Sequence, residues 1–369
     1  MSKLDELIQE LCPDGVEFKP LCEVAKIERG VRVVKKQLIN EGYPVYQNSL
    51  TSMGFHSESN YPAGTAFVIG AGAAGEIGYA TEAFWAADDC YCIVPSENIM
   101  SRFIYHVVLN QKAFIASRVR KASIPRLARS VIENLTVPVP PLEVQREIVR
   151  ILDNFTELTT ELTTELTARK KQYEYYRDEL LRYDGPSFTK SLGEMCIVSA
   201  GGDAPKETMS KEKTAEYPIP IISNGIGDNA FYGYTDTAKI TSPAVTVAAR
   251  GTIGYAEYRN YPYFPIIRLL SVIPKDTSVV DAKYLYYCLQ GRQYSVPMGG
   301  IPQLTAPELK KVEILVPPIE VQKRIVDILD RFDTLCNDIS AGLPAEIEAR
   351  QKQYEYYRNK LLTFKEAET

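Results

Sequence analysis

The chain repeats itself. Pro140-Pro141-Leu142-Glu143-Val144-Gln145 and, further on, Ile151-Leu152-Asp153 recur as Pro317-Pro318-Ile319-Glu320-Val321-Gln322 and Ile328-Leu329-Asp330. Downstream, Gln172-Tyr173-Glu174-Tyr175-Tyr176-Arg177 recurs as Gln353-Tyr354-Glu355-Tyr356-Tyr357-Arg358. The segments before each block match more weakly. Gly75-Glu76-Ile77-Gly78-Tyr79-Ala80 aligns with Gly251-Thr252-Ile253-Gly254-Tyr255-Ala256, and Ile124-Pro125-Arg126-Leu127 with Ile301-Pro302-Gln303-Leu304. Asn48 falls opposite Asn224. A duplication of this kind restricts the fold to two related bodies, each followed by a nearly identical segment. A third fragment extends the pattern. Leu4-Asp5-Glu6-Leu7, then Asp14-Gly15 and Phe18, matches Arg177-Asp178-Glu179-Leu180, then Asp184-Gly185 and Phe188. The first residues thus resemble the tail of a helix whose body lies elsewhere, as in a chain that closes into a pseudo-two-fold ring.

The repeated blocks have a helical period. Apolar residues at Val144, Ile148, Ile151, Phe155, Leu158, Leu162 and Leu166 step by threes and fours, followed by Tyr173, which predicts one long helix over residues 142–182. The second copy carries Ile325, Ile328, Phe332 and Tyr354, with Gly342 and Pro344 expected to break it. The expected arrangement is two helices packed as an antiparallel coiled coil through these residues. Thr-Glu-Leu-Thr stands three times in tandem at 156–159, 160–163 and 164–167. Each unit adds roughly 6 Å of helix, so the tandem is either plain padding or a ruler. Residues 16–139 and 187–316 mix short apolar strands with Gly, Pro and Asn turns, so each is expected to be a compact α+β domain. The division is therefore 1–139 (1–13 a helix tail), 140–183, 184–316 and 317–369.

Charge and chemistry narrow the function. The 42 basic and 47 acidic side chains leave a net charge of −5, which excludes a polycation but not a local basic patch. No apolar run reaches the roughly 18 residues that span a bilayer, and the polar start predicts no signal peptide. Seven scattered cysteines and two histidines predict neither a disulfide framework nor a metal site, and fit a reducing cytoplasm. No P-loop, H-E-x-x-H or G-x-S-x-G stands in the chain. Gly70-Ala71-Gly72-Ala73-Ala74-Gly75 matches the dinucleotide fingerprint by letter. The residues after it do not open an amphipathic helix, however, and its aligned copy, residues 246–251, keeps only the last glycine. A turn between strands accounts for both. A nucleotide-binding enzyme built on this loop is the alternative to set against binding of another macromolecule.

The informative charge is local. No Asp or Glu occurs between Glu97 and Glu133, where Arg118, Arg120, Lys121 and Arg126 stand. Residues 282–307 are also free of acids and carry Arg292, Gln293 and Gln303. Acid-free basic tracts suit phosphates, while Arg, Gln and Asn suit base edges. Arg29, Arg32, Asn48, Asn224 and Arg250 complete the candidate DNA-binding set. A solvated basic face is the bland reading, and a scaffold that binds protein rather than DNA is the second alternative.

Taken in order, a diverged domain, a P-P-x-E-V-Q-x-x-I-V-x-I-L-D-x-F helix, a Q-Y-E-Y-Y-R end, and then all three again resemble the specificity subunit of type I restriction-modification systems. The resemblance implies two target-recognition domains, each reading one half of a bipartite double-stranded DNA site, with the helices fixing the gap. It implies a non-catalytic chain with no cofactor of its own. Two methyltransferase subunits and restriction subunits would join it, and S-adenosylmethionine, ATP and Mg would be bound by those partners.

Overall fold

The computed structural model describes residues 3–294, 302–338 and 340–367. The chain divides into two compact units. One holds Met1–Thr163 and Glu346–Thr369, the other Thr164–Ala345.

In the first unit, strands Ala25–Arg29, Cys90–Pro95, Thr65–Ile69 and Ile77–Ala80 lie side by side in that order, every neighbour antiparallel. In the second, Cys196–Ala200, Leu269–Pro274, Ala244–Ala248 and Ala256–Arg259 repeat the same order and sense. Thr65–Ile69 and Ala244–Ala248 are buried at every position. They are covered on both faces, which is why they read as continuous apolar runs rather than alternating ones. A small second sheet sits beside each main sheet, and each ends in a parallel pairing, Val45 with Trp85 and Ile221 with Phe264. A two-stranded ladder closes each body, Phe18–Pro20 on Thr136–Pro138 and Phe188–Ser191 on Glu313–Val316.

Each body is packed against spacer helix. Leu142–Arg182 is one helix of 41 residues, roughly 60 Å long. Its first turns bury Val144, Ile148 and Leu152 against Phe103, Ile104 and Val107 of the helix Ser101–Asn110. Burying such a side chain fully stabilises by about 1.5–3 kcal/mol. In the second unit, Ile325, Val326 and Leu329 meet Tyr284 and Tyr287 of the helix Ala282–Leu289 in the same way. The second spacer is broken into Ile319–Asn337 and Leu343–Leu361. At the break, a Cβ on Gly342 would lie 2.3 Å from the Thr334 carbonyl oxygen. Pro344 stands in the first turn of the new helix, where its missing N–H costs nothing.

The spacers pair within each unit. Phe155 stacks on Tyr357 at 5.3 Å in the first, and Tyr176 stacks on Phe332 at 5.9 Å in the second. Leu158 and Leu162 are half-buried. Ile328 departs from the expected seam. It is 42% exposed, and Leu329 beside it is buried instead. Ile151 and Leu152 repeat this, half-buried and buried. The buried positions Gln322, Ile325, Leu329 and Cys336 step by three, four and seven, a seam shifted by one position from the expected one at Ile328. The Thr-Glu-Leu-Thr segment satisfies its hydroxyls internally: Thr156, Thr159, Thr160 and Thr163 each donate to the carbonyl four residues back.

The helix Lys3–Leu11 packs in the first unit beside Leu361, Leu362 and Phe364. The Val16 N–H donates to the Lys365 carbonyl at 2.8 Å, and the Ala367 N–H donates to Val16 at 3.1 Å. The two ends of the chain thus join in one unit, as the third repeat fragment suggests. Among the described residues, no helix is long and apolar enough to cross a membrane. None of them forms a group of three His, Cys, Asp or Glu that could hold a metal ion.

Candidate nucleic-acid interface

Two sets of polar bonds orient each body on its helix. Gln145 accepts from the Met100 N–H at 2.8 Å and donates to the carbonyls of Asn98 and Pro140. Gln322 repeats all three bonds with Asp281, Val279 and Pro317. Both glutamines are buried. About two turns further on, Asp153 receives Arg102 at 2.8 Å and the His106 Nε2 at 2.9 Å. Its counterpart Asp330 receives Lys283 at 2.7 Å and the Tyr287 hydroxyl. His106 also meets the Tyr354 hydroxyl at 3.0 Å through Nδ1. Burial holds the His106 pKa below its ordinary value, against the Asp153 bond that pulls it upward.

At the far edge of each main sheet stands a hairpin loop. Gly70-Ala71-Gly72-Ala73-Ala74-Gly75 joins Thr65–Ile69 to the antiparallel strand Ile77–Ala80. A dinucleotide loop must lead from a strand into a helix whose N-terminus meets the pyrophosphate, so this segment does not have that geometry. The hydrogen bonds also correct the alignment of the two copies. Gly75 N–H donates to Ile69, and Gly254 N–H donates to Ala248. Gly75 therefore corresponds to Gly254, not Gly251, and residues 70–75 correspond to 249–254 rather than 246–251. Both inner glycines survive as a pair: Gly72 and Gly251 have φ of +82° and +78°, Gly75 and Gly254 +89° and +86°. These left-handed turns demand glycine.

The loop is a hub. In the first unit, Ala73 N–H binds the Asn48 carbonyl, Gly72 N–H the Pro125 carbonyl, and Leu127 N–H the Gly70 carbonyl. Arg120 and Arg126 pair backbone to backbone beside it, and Ala71 bridges to Arg126. In the second unit, the Thr252 hydroxyl binds the Asn224 carbonyl and Leu304 N–H the Ala249 carbonyl. The hub thus gathers Asn48, Arg120 and Arg126 in one unit, and Asn224, Arg250 and Gln303 in the other. Arg120, Arg126 and Gln303 are exposed.

The remaining candidates are less central. Arg118 lies over the Phe114 ring at 4.9 Å. Lys121, Arg32 and Gln293 are exposed. Arg29 donates to the Asp88 carbonyl at 2.5 Å, and Arg292 to the Glu313 carbonyl at 3.3 Å, so both brace backbone. The Asn224 amide likewise donates to the Arg250 carbonyl at 2.5 Å and holds that residue in place. Ile301 and residues 295–300 of the second acid-free tract lie outside the described residues. Two residues at the hub were not anticipated. Gly70 N–H donates to the Asp89 carbonyl at 2.6 Å, and Ala249 N–H to the Arg268 carbonyl at 2.9 Å. Aligning the copies on both inner glycines points to the hairpin loop, which carries neither of these residues.

The family described as type I restriction modification DNA specificity domain matches this chain twice, over residues 13–170 and 187–349. A Mycoplasma pneumoniae protein named as a type I specificity subunit is 31% identical over 359 residues, covering 94% of this chain and 96% of that one. A Haemophilus influenzae protein named as a type I restriction enzyme specificity subunit is 33% identical over 377 residues, covering 95% and 96%. In fold, the crystal structure of the S subunit of a type I restriction-modification system from M. genitalium matches with a TM-score of 0.65 at 15% identity, covering 94% of this chain and 96% of that one.

Proposed function

The chain belongs to the type I restriction-modification DNA specificity family, and from that premise we propose that each of its two halves reads one part of a bipartite duplex site through its glycine hairpin and the loops bound to it. The family fixes the role as DNA specificity. The observation that carries the finer reading is the duplicated hub. One backbone arrangement holds Asn48 and Arg126 in one half and Asn224, Arg250 and Gln303 in the other. Asn48, Arg126 and Gln303 are exposed and Asn224 and Arg250 half-buried; Arg, Asn and Gln side chains on a common loop cluster can face phosphates and base edges. Because they differ between halves, the two parts of the site differ in sequence.

The domains read as 1–139 and 184–316 for recognition, with 140–183 and 317–369 as spacers. The spacers set the gap and dock two methyltransferase subunits, to which restriction subunits are added. S-adenosylmethionine, ATP and Mg belong to those partners. Removing one Thr-Glu-Leu-Thr unit shortens the helix by about 6 Å, close to one or two base-pair rises of about 3.4 Å. The expected result is a shorter gap with unchanged half-sites. Altered half-sites with the old gap would refute the ruler.

The test of the reading is to map the methylated positions in a host that carries this chain with its methyltransferase partner. Two short, unlike sequences at a fixed separation support it, and a single continuous site contradicts it. Binding should also fall steeply with salt, since neutralised phosphates release counterions.

A further inference from the structure

The two hubs differ most sharply at one place. Asp89 and Arg268 are equivalent, because each offers its carbonyl to the first residue of the hairpin loop. Each also directly precedes the strand that pairs with the hairpin's buried arm, Cys90–Pro95 in one unit and Leu269–Pro274 in the other. The side chains carry opposite charge. Arg268 has a φ of +71°, alone among the described non-glycine residues. A left-handed backbone suits Gly or Asn and strains Arg. The turn is imposed by the Ala249 bond to its carbonyl and by the Leu269 N–H bond to Ile266. Strain retained at an over-determined position points to a use for the side chain. Arg268 is exposed, and no carboxylate among the described residues forms a salt bridge with it. It stands on the wall of a groove of about 970 Å³ shared with Asp203, Lys206, Glu207, Asn224 and Tyr232. Asn224 is already part of the hub.

We propose that this position determines base preference in each half, with Arg268 reading a guanine and Asp89 reading a cytosine. The inference rests on the reading that the hairpin face meets DNA. The guanidinium fork matches guanine O6 and N7, and a carboxylate accepts from cytosine N4. Asp89 is half-buried at the equivalent place, and a carboxylate there can accept from a base amino group where an Arg cannot.

The test uses the full chain with its methyltransferase partner on randomised duplexes, alongside thermal unfolding. Arg268→Gly relieves the strain, so its melting temperature should not fall. Guanine preference at one position of one half-site should drop roughly 5- to 100-fold, with the salt slope and the other half-site unchanged. Arg268→Asn, which also tolerates positive φ, should move that preference away from guanine. Asp89→Asn should alter the cytosine preference in the other half-site only. If Arg268→Gly weakens all sequences alike and lowers the salt slope by about one, Arg268 is a phosphate contact and the proposal fails, while the hairpin reading stands. The proposal fails in the same way if the Arg268 and Asp89 variants change nothing while Arg126→Ala and Arg250→Ala weaken binding. If none of these variants affects DNA, the hairpin reading falls and the proposal with it.

Discussion

Two regions of each half have diverged to different degrees. Where the body meets its helix, Gln145 and Gln322 make the same three bonds, and Asp153 and Asp330 each gather a cation and a second donor. At the hairpin hub several backbone bonds are repeated, yet Ala71 stands for Arg250, Asp89 for Arg268 and Arg126 for Gln303. The difference has a physical source. At the helix, side-chain atoms satisfy buried backbone groups, so changing the residue leaves those groups unpaired. At the hub, the bonds common to both halves run backbone to backbone, and glycine supplies the required dihedrals. Its outward side chains carry little of the stability and can change freely, which is what a reader of varied sequences needs.

The largest expected effects fall at the helix. Gln145→Ala and Gln322→Ala should each destabilise by about 3 kcal/mol, since three buried backbone partners are lost at once. Urea unfolding of the two variants should give similar costs, and a gap above about 2 kcal/mol would break the claimed equivalence. Next come Gly30→Ala and Gly201→Ala. Their Cβ atoms would lie 2.2 Å from the Ala87 carbonyl oxygen and 2.1 Å from that of Ile266, at the turns leading to Asp89 and Arg268. Each should cost about 1–3 kcal/mol and weaken DNA binding. Unchanged binding would detach those turns from the interface.

A smaller effect separates the halves. His106 is buried with its pKa held below the ordinary 6.5. The unfolded chain therefore takes up the proton first, and the stability from the neutral imidazole is lost as pH falls below about 6.5. The second half has Tyr287 in that place, which burial keeps neutral. Thermal unfolding of His106→Tyr should be flatter than that of the parent between pH 7 and 5.5, and an equal slope would remove His106 as the source. The smallest stability changes are expected for Arg126→Ala and Gln303→Ala, within about 0.5 kcal/mol, although DNA binding should weaken in mobility-shift assays. A large loss of stability there would contradict the division between helix and hub.

Much of this was legible in the sequence. The spacer helix, its break at Gly342 and Pro344, the buried strands and the joining of the chain ends follow from periodicity, Pro and Gly placement, and the third repeat fragment. The hub was legible only in part. Gly72, Gly75 and Gly78 recur at intervals of three, as do Gly251 and Gly254, so matching letters slips by one interval, and only hydrogen bonds fix the register. Asp89 and Arg268 share no residue type, and their equivalence exists only in which amide meets their carbonyls. Ile328 was misplaced because Ile328 and Leu329 are both apolar, so residue type alone does not fix which of the two turns inward.

The central claim is that one frame carries two independent readers. Both bodies are closed by equivalent ladders, Phe18 opposite Pro138 and Thr189 opposite Leu315, so residues 18–138 can be replaced by a second copy of residues 189–315 at matched junctions. The most direct measurement is the methylated site selected by that chimaera with its methyltransferase partner. A site whose two parts have the same sequence is the expected result. A folded chimaera that still selects two unlike parts would contradict it.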